Sequence, residues 1–229
     1  MGTSAGAIMT TTTAKKRYTV QEFLALPDDG VERWLINGEL RENEPELPGV
    51  PMTIRNRFHS SVMSNIAISI GIWRLLQPKP RGTILCGEAG IVFPPPIVDT
   101  FGVDVAYVSP EVNASQHAES QYLEGIPSLC VEIISRTDSY LKISEKTRRY
   151  FDGGVAIVWI INPYAQTVTV FTSDLHPMVY DINKQIPVPR RCPDTARKYL
   201  IFLNDHFKAP TLKPAALNAA IAASICSGV

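Results

Sequence analysis

Leu129-Cys130-Val131-Glu132-Ile133-Ile134, a helical stretch from Ser139 to Phe151, then Ile157-Val158-Trp159-Ile160-Ile161: this run decides the fold. The two flanking pieces are short and apolar, as strands covered on both faces are. The piece between them closes at Gly153-Gly154, a common way for a helix to end. A strand–helix–strand step of this length favours a parallel crossover within one sheet.

Working outward, Thr83 to Phe93 and Val103 to Val108 read as two further strands, with Pro94-Pro95-Pro96 between them and a polar loop from Asn113 to Glu119 after them. Val168 to Thr172 adds another strand downstream. Upstream, Phe58, Val62, Ile66, Ile70 and Trp73 recur at helical spacing within Thr53 to Leu76, and Gln77-Pro78 ends that long helix. Trp34-Leu35-Ile36, Asn37-Gly38 and Glu39-Leu40 read as strand, tight turn and return strand. Thr19 followed by Glu22 predicts a capping box before a short helix that Pro27-Asp28-Asp29-Gly30 terminates. The expected class is α/β, a mixed sheet flanked by helices in α-β-β-β-α-β order. One domain is expected over residues 18–208, after a flexible arm at 1–17 and before an Ala-rich tail at 209–229. The Pro-rich stretch beyond Asp174 has no role readable from sequence.

The chain has 229 residues, 45% apolar and 19% charged, which suits a soluble globular domain and excludes a disordered one. Its basic and acidic residues balance, so any contact with phosphate must come from a local basic surface. Cys86, Cys130, Cys192 and Cys226 form no C-x-x-C pair and read as reduced thiols of a cytoplasmic protein. No stretch predicts a signal peptide or a membrane span. Gly2-Thr3-Ser4-Ala5-Gly6 matches G-x-S-x-G without the preceding strand that a nucleophile elbow requires, and the four histidines lack metal-ligand spacing.

Two acids interrupt apolar strands, Asp104 within Val103 to Val108 and Glu132 within Leu129 to Ile134. A carboxylate there is costly unless compensated, and two on adjacent strands call for a cation between them. Mg²⁺ or Mn²⁺ suits such oxygen ligands. Alternatively, both acids face solvent or pair with Arg or Lys. Lys142, Lys146 and Arg149 fall at i, i+4 and i+7 on the second long helix, a stripe that is ordinarily a solvated face. Ile143, Thr147 and Tyr150 form the stripe expected to be buried.

The ordered set Tyr18 to Pro27, Leu35-Ile36-Asn37-Gly38-Glu39-Leu40, His59, Gly87-Glu88, Val103 to Val108, Tyr122 to Pro127, Val131 to Ser135, Glu145-Lys146, Tyr150 and Trp159 to Pro163 resembles the Uma-type family of putative restriction endonucleases. The resemblance implies a restriction-endonuclease-like PD-(D/E)XK core with metal-assisted hydrolysis of DNA phosphodiester bonds. Asp104 and Glu132 match the motif's two acids, and Lys146 stands for the lysine, since Ile134 occupies the usual third position. Glu88, placed at the start of its strand, is a further metal ligand on this reading, and Glu39 a further acid near the site. His59, Lys142 and Arg149 are expected at the substrate. Val103 replaces the motif's proline, and Trp34 stands where the family usually carries glutamate. A homodimer that cuts both strands is expected, the alternative being a catalytically inactive nucleic-acid-binding or structural descendant of the fold.

Overall fold

A computed structural model describes residues 16–27, 29, 31, 33–42, 57–117, 119–135, 138–172, 176–181, 185–187 and 200–202. Residues 1–15, the expected helix start at 53–56, Cys192, Cys226 and the tail at 209–229 lie outside the described residues. In chain order the elements are α1 (Val20–Leu24), β1 (Arg33–Ile36), β2 (Glu39–Glu42), α2 (Arg57–Leu75), β3 (Thr83–Val92), β4 (Thr100–Val108), α3 (Pro110–Ala114) and β5 (Leu123–Glu124). They continue through β6 (Leu129–Ile133), α4 (Tyr140–Asp152), β7 (Ile157–Asn162), β8 (Thr167–Thr172), β9 (Met178–Asp181), β10 (Gln185–Pro187) and β11 (Leu200–Phe202).

The expected parallel crossover is present: β6 pairs β7 in parallel from Leu129–Ile157 to Ile133–Ile161, with α4 between them in sequence. The other long pairs, β3 with β4, β4 with β6 and β7 with β8, are antiparallel, so the sheet is mixed. Nine of the described strands join it, with β2-β1-β4-β6-β7-β8-β9 as its main path. Thr19 makes the capping box with Glu22, its hydroxyl accepting from the Glu22 amide while the Glu22 carboxylate accepts from the Thr19 amide.

Each face of the sheet carries its own core. On one, Val62, Ile66 and Ile70 of α2 pack on Val105, Val131, Ile133, Trp159 and Ile161. On the other, Tyr150 of α4 packs with Phe93, Phe101, Val103, Cys130, Val158 and Ile160. Both faces are therefore covered, which explains the nearly unbroken apolar runs of β4, β6 and β7.

Several expectations are corrected. β4 begins at Thr100, three residues early, because Phe101 and Thr100 pair with β3 through Ile91 and Val92. The expected polar loop holds the end of α3, which Ser109 caps and Pro110 opens. Beyond Asp174 the chain is more regular than expected: β9 extends the sheet, and the β10–β11 pair seats Ile186 in the α2 core. Arg17, assigned to the loose arm, bridges to Glu39. Cys130 is buried, whereas Cys86 is exposed.

What positions the site is the way β4 shares its partners. One edge of β4 is paired to β3 along its length. The opposite edge meets β1 at Thr100 and β6 only from Val105 to Tyr107, so between them the stretch 101–104 faces a split in the sheet. On the β3 side the register shifts between Cys86 and Ala89, so Gly87 and Glu88 bulge opposite Asp104. Both bulge residues have left-handed backbones, φ +88° and +59°. For Gly87 that conformation costs little; for Glu88 it is strained, and such strain gathers at functional sites.

Candidate functional site

Asp104 stands in the split and is almost fully buried. Its Oδ2 accepts from the Ile133 backbone amide at 2.7 Å, standing in for the ladder bond that β4 no longer offers β6. Its Oδ1 has no donor in hydrogen-bonding geometry, and His59 Nε2 on α2 lies 3.5 Å away. Burial pushes the Asp104 carboxyl up, but His59, Glu88 and the Ile133 amide together hold it below the ordinary aspartate value.

Glu132 projects from β6 towards α4. Lys146 Nζ donates to its Oε2 at 2.8 Å, and the Tyr150 hydroxyl donates to its Oε1 at 2.5 Å. The same ammonium donates to the Gly102 carbonyl at 2.8 Å, so Lys146 spans the split from β4 to β6. Burial raises the Glu132 carboxyl to about 7, with the attraction of Lys146 opposing it. Lys146 moves upward as well: burial disfavours its charge, but Glu132, Glu88 and Asp104 outweigh that. It therefore stays an ammonium at neutral pH.

Glu88 reaches the same place from the bulge. A Cβ added to Gly102 would lie 2.7 Å from Glu88 Oε2, so the glycine leaves room for that carboxylate. The resulting cavity holds about 500 Å³ and is lined by Asp104, Glu88, Glu132, Lys146, His59 and Lys142, six of the seven expected site residues. The seventh, Arg149, does not line it. Arg149 grips the fully buried Asp99 through Nε and Nη2 and donates to Asn37 Oδ1, tying α4 to the β1–β2 turn. Glu39 also lies apart, paired with Arg41 at 3.5 Å, and Glu88 sits mid-strand rather than at its start. The solvated basic stripe is corrected accordingly: Lys142 is exposed, but Lys146 and Arg149 turn back onto carboxylates.

Signals for the residues sequence reasoning missed were faint. Gly87 within a strand pattern is a bulge signal. Nothing local marked Asp99 and Asn37 as partners of Arg149, or Tyr150 as a partner of Glu132, because those contacts join distant segments.

The charge and the donor chemistry of the lining suit a divalent cation. Five carboxylates (Glu88, Asp104, Glu132, Asp138 and Glu145) line the cavity against Arg33, Lys142 and Lys146, and Arg33 is already engaged by Asp29 and Glu42. The buried, donor-free Oδ1 of Asp104 is an oxygen such an ion would take. Among the described residues no three His, Cys, Asp or Glu side chains already stand at ligating spacing, so binding requires side-chain rotation. Also among the described residues, no helix is long and apolar enough to cross a membrane.

The profile of the Uma2 family, described as "Putative restriction endonuclease", matches residues 20–193. Among solved structures, the chain is similar to a putative nuclease belonging to DUF820 from Anabaena variabilis. The two share 20% identity with a TM-score of 0.65, covering 82% of this chain and 97% of that one. At that identity the likeness speaks for the fold. No curated protein matches the chain.

Proposed function

The chain belongs to the Uma2 family of putative restriction endonucleases, and from that premise we propose that it is a metal-dependent endonuclease hydrolysing DNA phosphodiester bonds. The observation that carries the reading is the meeting of Asp104, Glu88, Glu132 and Lys146 at one cavity, where β4 and β6 part. Asp104, Glu88 and Glu132 would hold Mg²⁺ or Mn²⁺, which when bound supplies Lewis-acid polarisation of the scissile phosphate. Lys146 remains protonated and presents its ammonium to the charge that builds on the phosphate oxygens. Lys142, exposed on the first turn of α4 and lining the cavity, would meet a neighbouring backbone phosphate. His59, buried in the cavity wall with Nε2 3.5 Å from Asp104 Oδ1, would stand beside that carboxylate where substrate approaches. A homodimer would present two such sites, one to each strand.

One observation favours the second reading, a non-cutting descendant of the fold. Lys146 already neutralises Glu132, so the carboxylate has a counter-ion without a metal.

The deciding experiment incubates purified protein with plasmid and linear DNA in Mg²⁺ or Mn²⁺ beside Asp104→Asn, which retains an acceptor for the Ile133 amide. Metal-dependent cleavage that the substitution abolishes is the expected result. Folded protein that cuts neither DNA would replace the nuclease by the binding-only reading.

A further inference from the structure

We propose that Tyr150 is a positioning residue whose buried hydroxyl fixes the Glu132 carboxylate for cation binding. The inference rests on the metal-site reading above and concerns how this chain holds one of its ligands.

The ring and the hydroxyl of Tyr150 answer to different demands. The ring packs edge-on against Phe101 at 5.3 Å and tilted against Phe93 at 6.3 Å, a role phenylalanine would fill equally well. The hydroxyl adds a polar group to a fully buried side chain, which is costly unless it is bonded. Its partner is Glu132 Oε1 at 2.5 Å, the short range of an O–H donor facing a charged acceptor. Being buried, Tyr150 cannot touch a nucleic acid, so any effect on chemistry must pass through Glu132.

Lys146 and Tyr150 stand four residues apart on α4 and so share a face. One takes Oε2 and the other Oε1, so both oxygens of the carboxylate are tethered. A carboxylate with one tether can still turn about it; with two its plane is set. Each oxygen keeps a second lone-pair direction, so tethering leaves acceptor capacity for an ion. Lys146 is the partner a phosphate would draw away or a metal ion would displace, because its side chain is 29% exposed and lines the cavity. Tyr150 would then be the tether that remains.

The test is Tyr150→Phe, which keeps the ring. Mn²⁺ binding is measured by calorimetry, with circular dichroism to verify folding. Tyrosine ultraviolet difference spectra are recorded during the same Mn²⁺ titration. The variant is expected to fold and to bind Mn²⁺ about 10–100-fold more weakly, as when a partner of a ligating group is lost. In the wild type a tyrosine difference signal should follow occupancy, since the ion draws charge from Glu132; Tyr150→Phe should lack it. A variant of lower thermal stability but unchanged Mn²⁺ affinity would leave the hydroxyl a structural group and overturn the proposal. Wild-type titration without a tyrosine signal would do the same, and would decide the matter if the variant failed to fold. Wild-type protein that takes up no Mn²⁺ would overturn the metal site and this inference together.

Discussion

Glu132 sits between burial, which favours its proton, and Lys146, which favours its charge, and the balance leaves it titrating near neutrality in the metal-free protein. With its carboxyl raised from 4.5 to about 7, the folded chain keeps a proton in that window that the unfolded chain has released. The contribution to stability is thus fully present below 4.5 and lost as pH rises through about 7. The metal-free unfolding midpoint should fall across this range, and Glu132→Gln should flatten that slope. Lys146→Met removes the donor to Glu132 Oε2 and to the Gly102 carbonyl, leaving Glu132 only the Tyr150 hydroxyl. Urea unfolding should show a loss of about 3 kcal/mol, the low end for a broken buried pair because Lys146 keeps some solvent contact. At this scale the acids were legible, because Asp104 and Glu132 break apolar runs. The direction taken by Lys146 was not, since periodicity groups it with a solvated stripe and its partners come from other strands.

At the scale of elements, α4 is set against the sheet by the Arg149–Asp99 pair as much as by its apolar face. Asp99 also accepts from the Asn37 amide at 2.7 Å, so one carboxylate fastens α4 to the turn between β1 and β2. Asp99→Ala leaves the guanidinium only Asn37 and Asp152 and should cost roughly 3 kcal/mol, seen as a lower denaturant midpoint with an unchanged slope. Gly102→Ala acts differently. Its Cβ would press on the flexible end of Glu88, so the carboxylate moves while the strand persists. Mn²⁺ affinity should fall in calorimetry with little change in the melting midpoint. The strands themselves were readable from apolar runs and the crossover from length. The sharing of one β4 edge by β1 and β6 was not, because pairing between segments about 65 and 25 residues apart leaves no local pattern.

For the whole molecule, the two cores lie on opposite faces of the sheet and the site lies in the opening between its strands. An ion held there would contact β3, β4 and β6 at once, so it should stabilise the fold as a unit. Mn²⁺ at one hundred times its dissociation constant adds ~2.7 kcal/mol to folding, which thermal unfolding should register in the wild type and not in Asp104→Asn. The mixed sheet could be anticipated as a whole because β6, α4 and β7 are consecutive in the chain. The opening could not. It has a bearing on descent. Where the sheet parts, Asp104 Oδ2 is the acceptor that keeps the Ile133 amide from being stranded. A lineage that abandoned cleavage would still need an acceptor there to hold its sheet together. Selection for architecture alone can thus preserve this aspartate, so its presence in such a lineage would speak first of the split sheet and only then of chemistry.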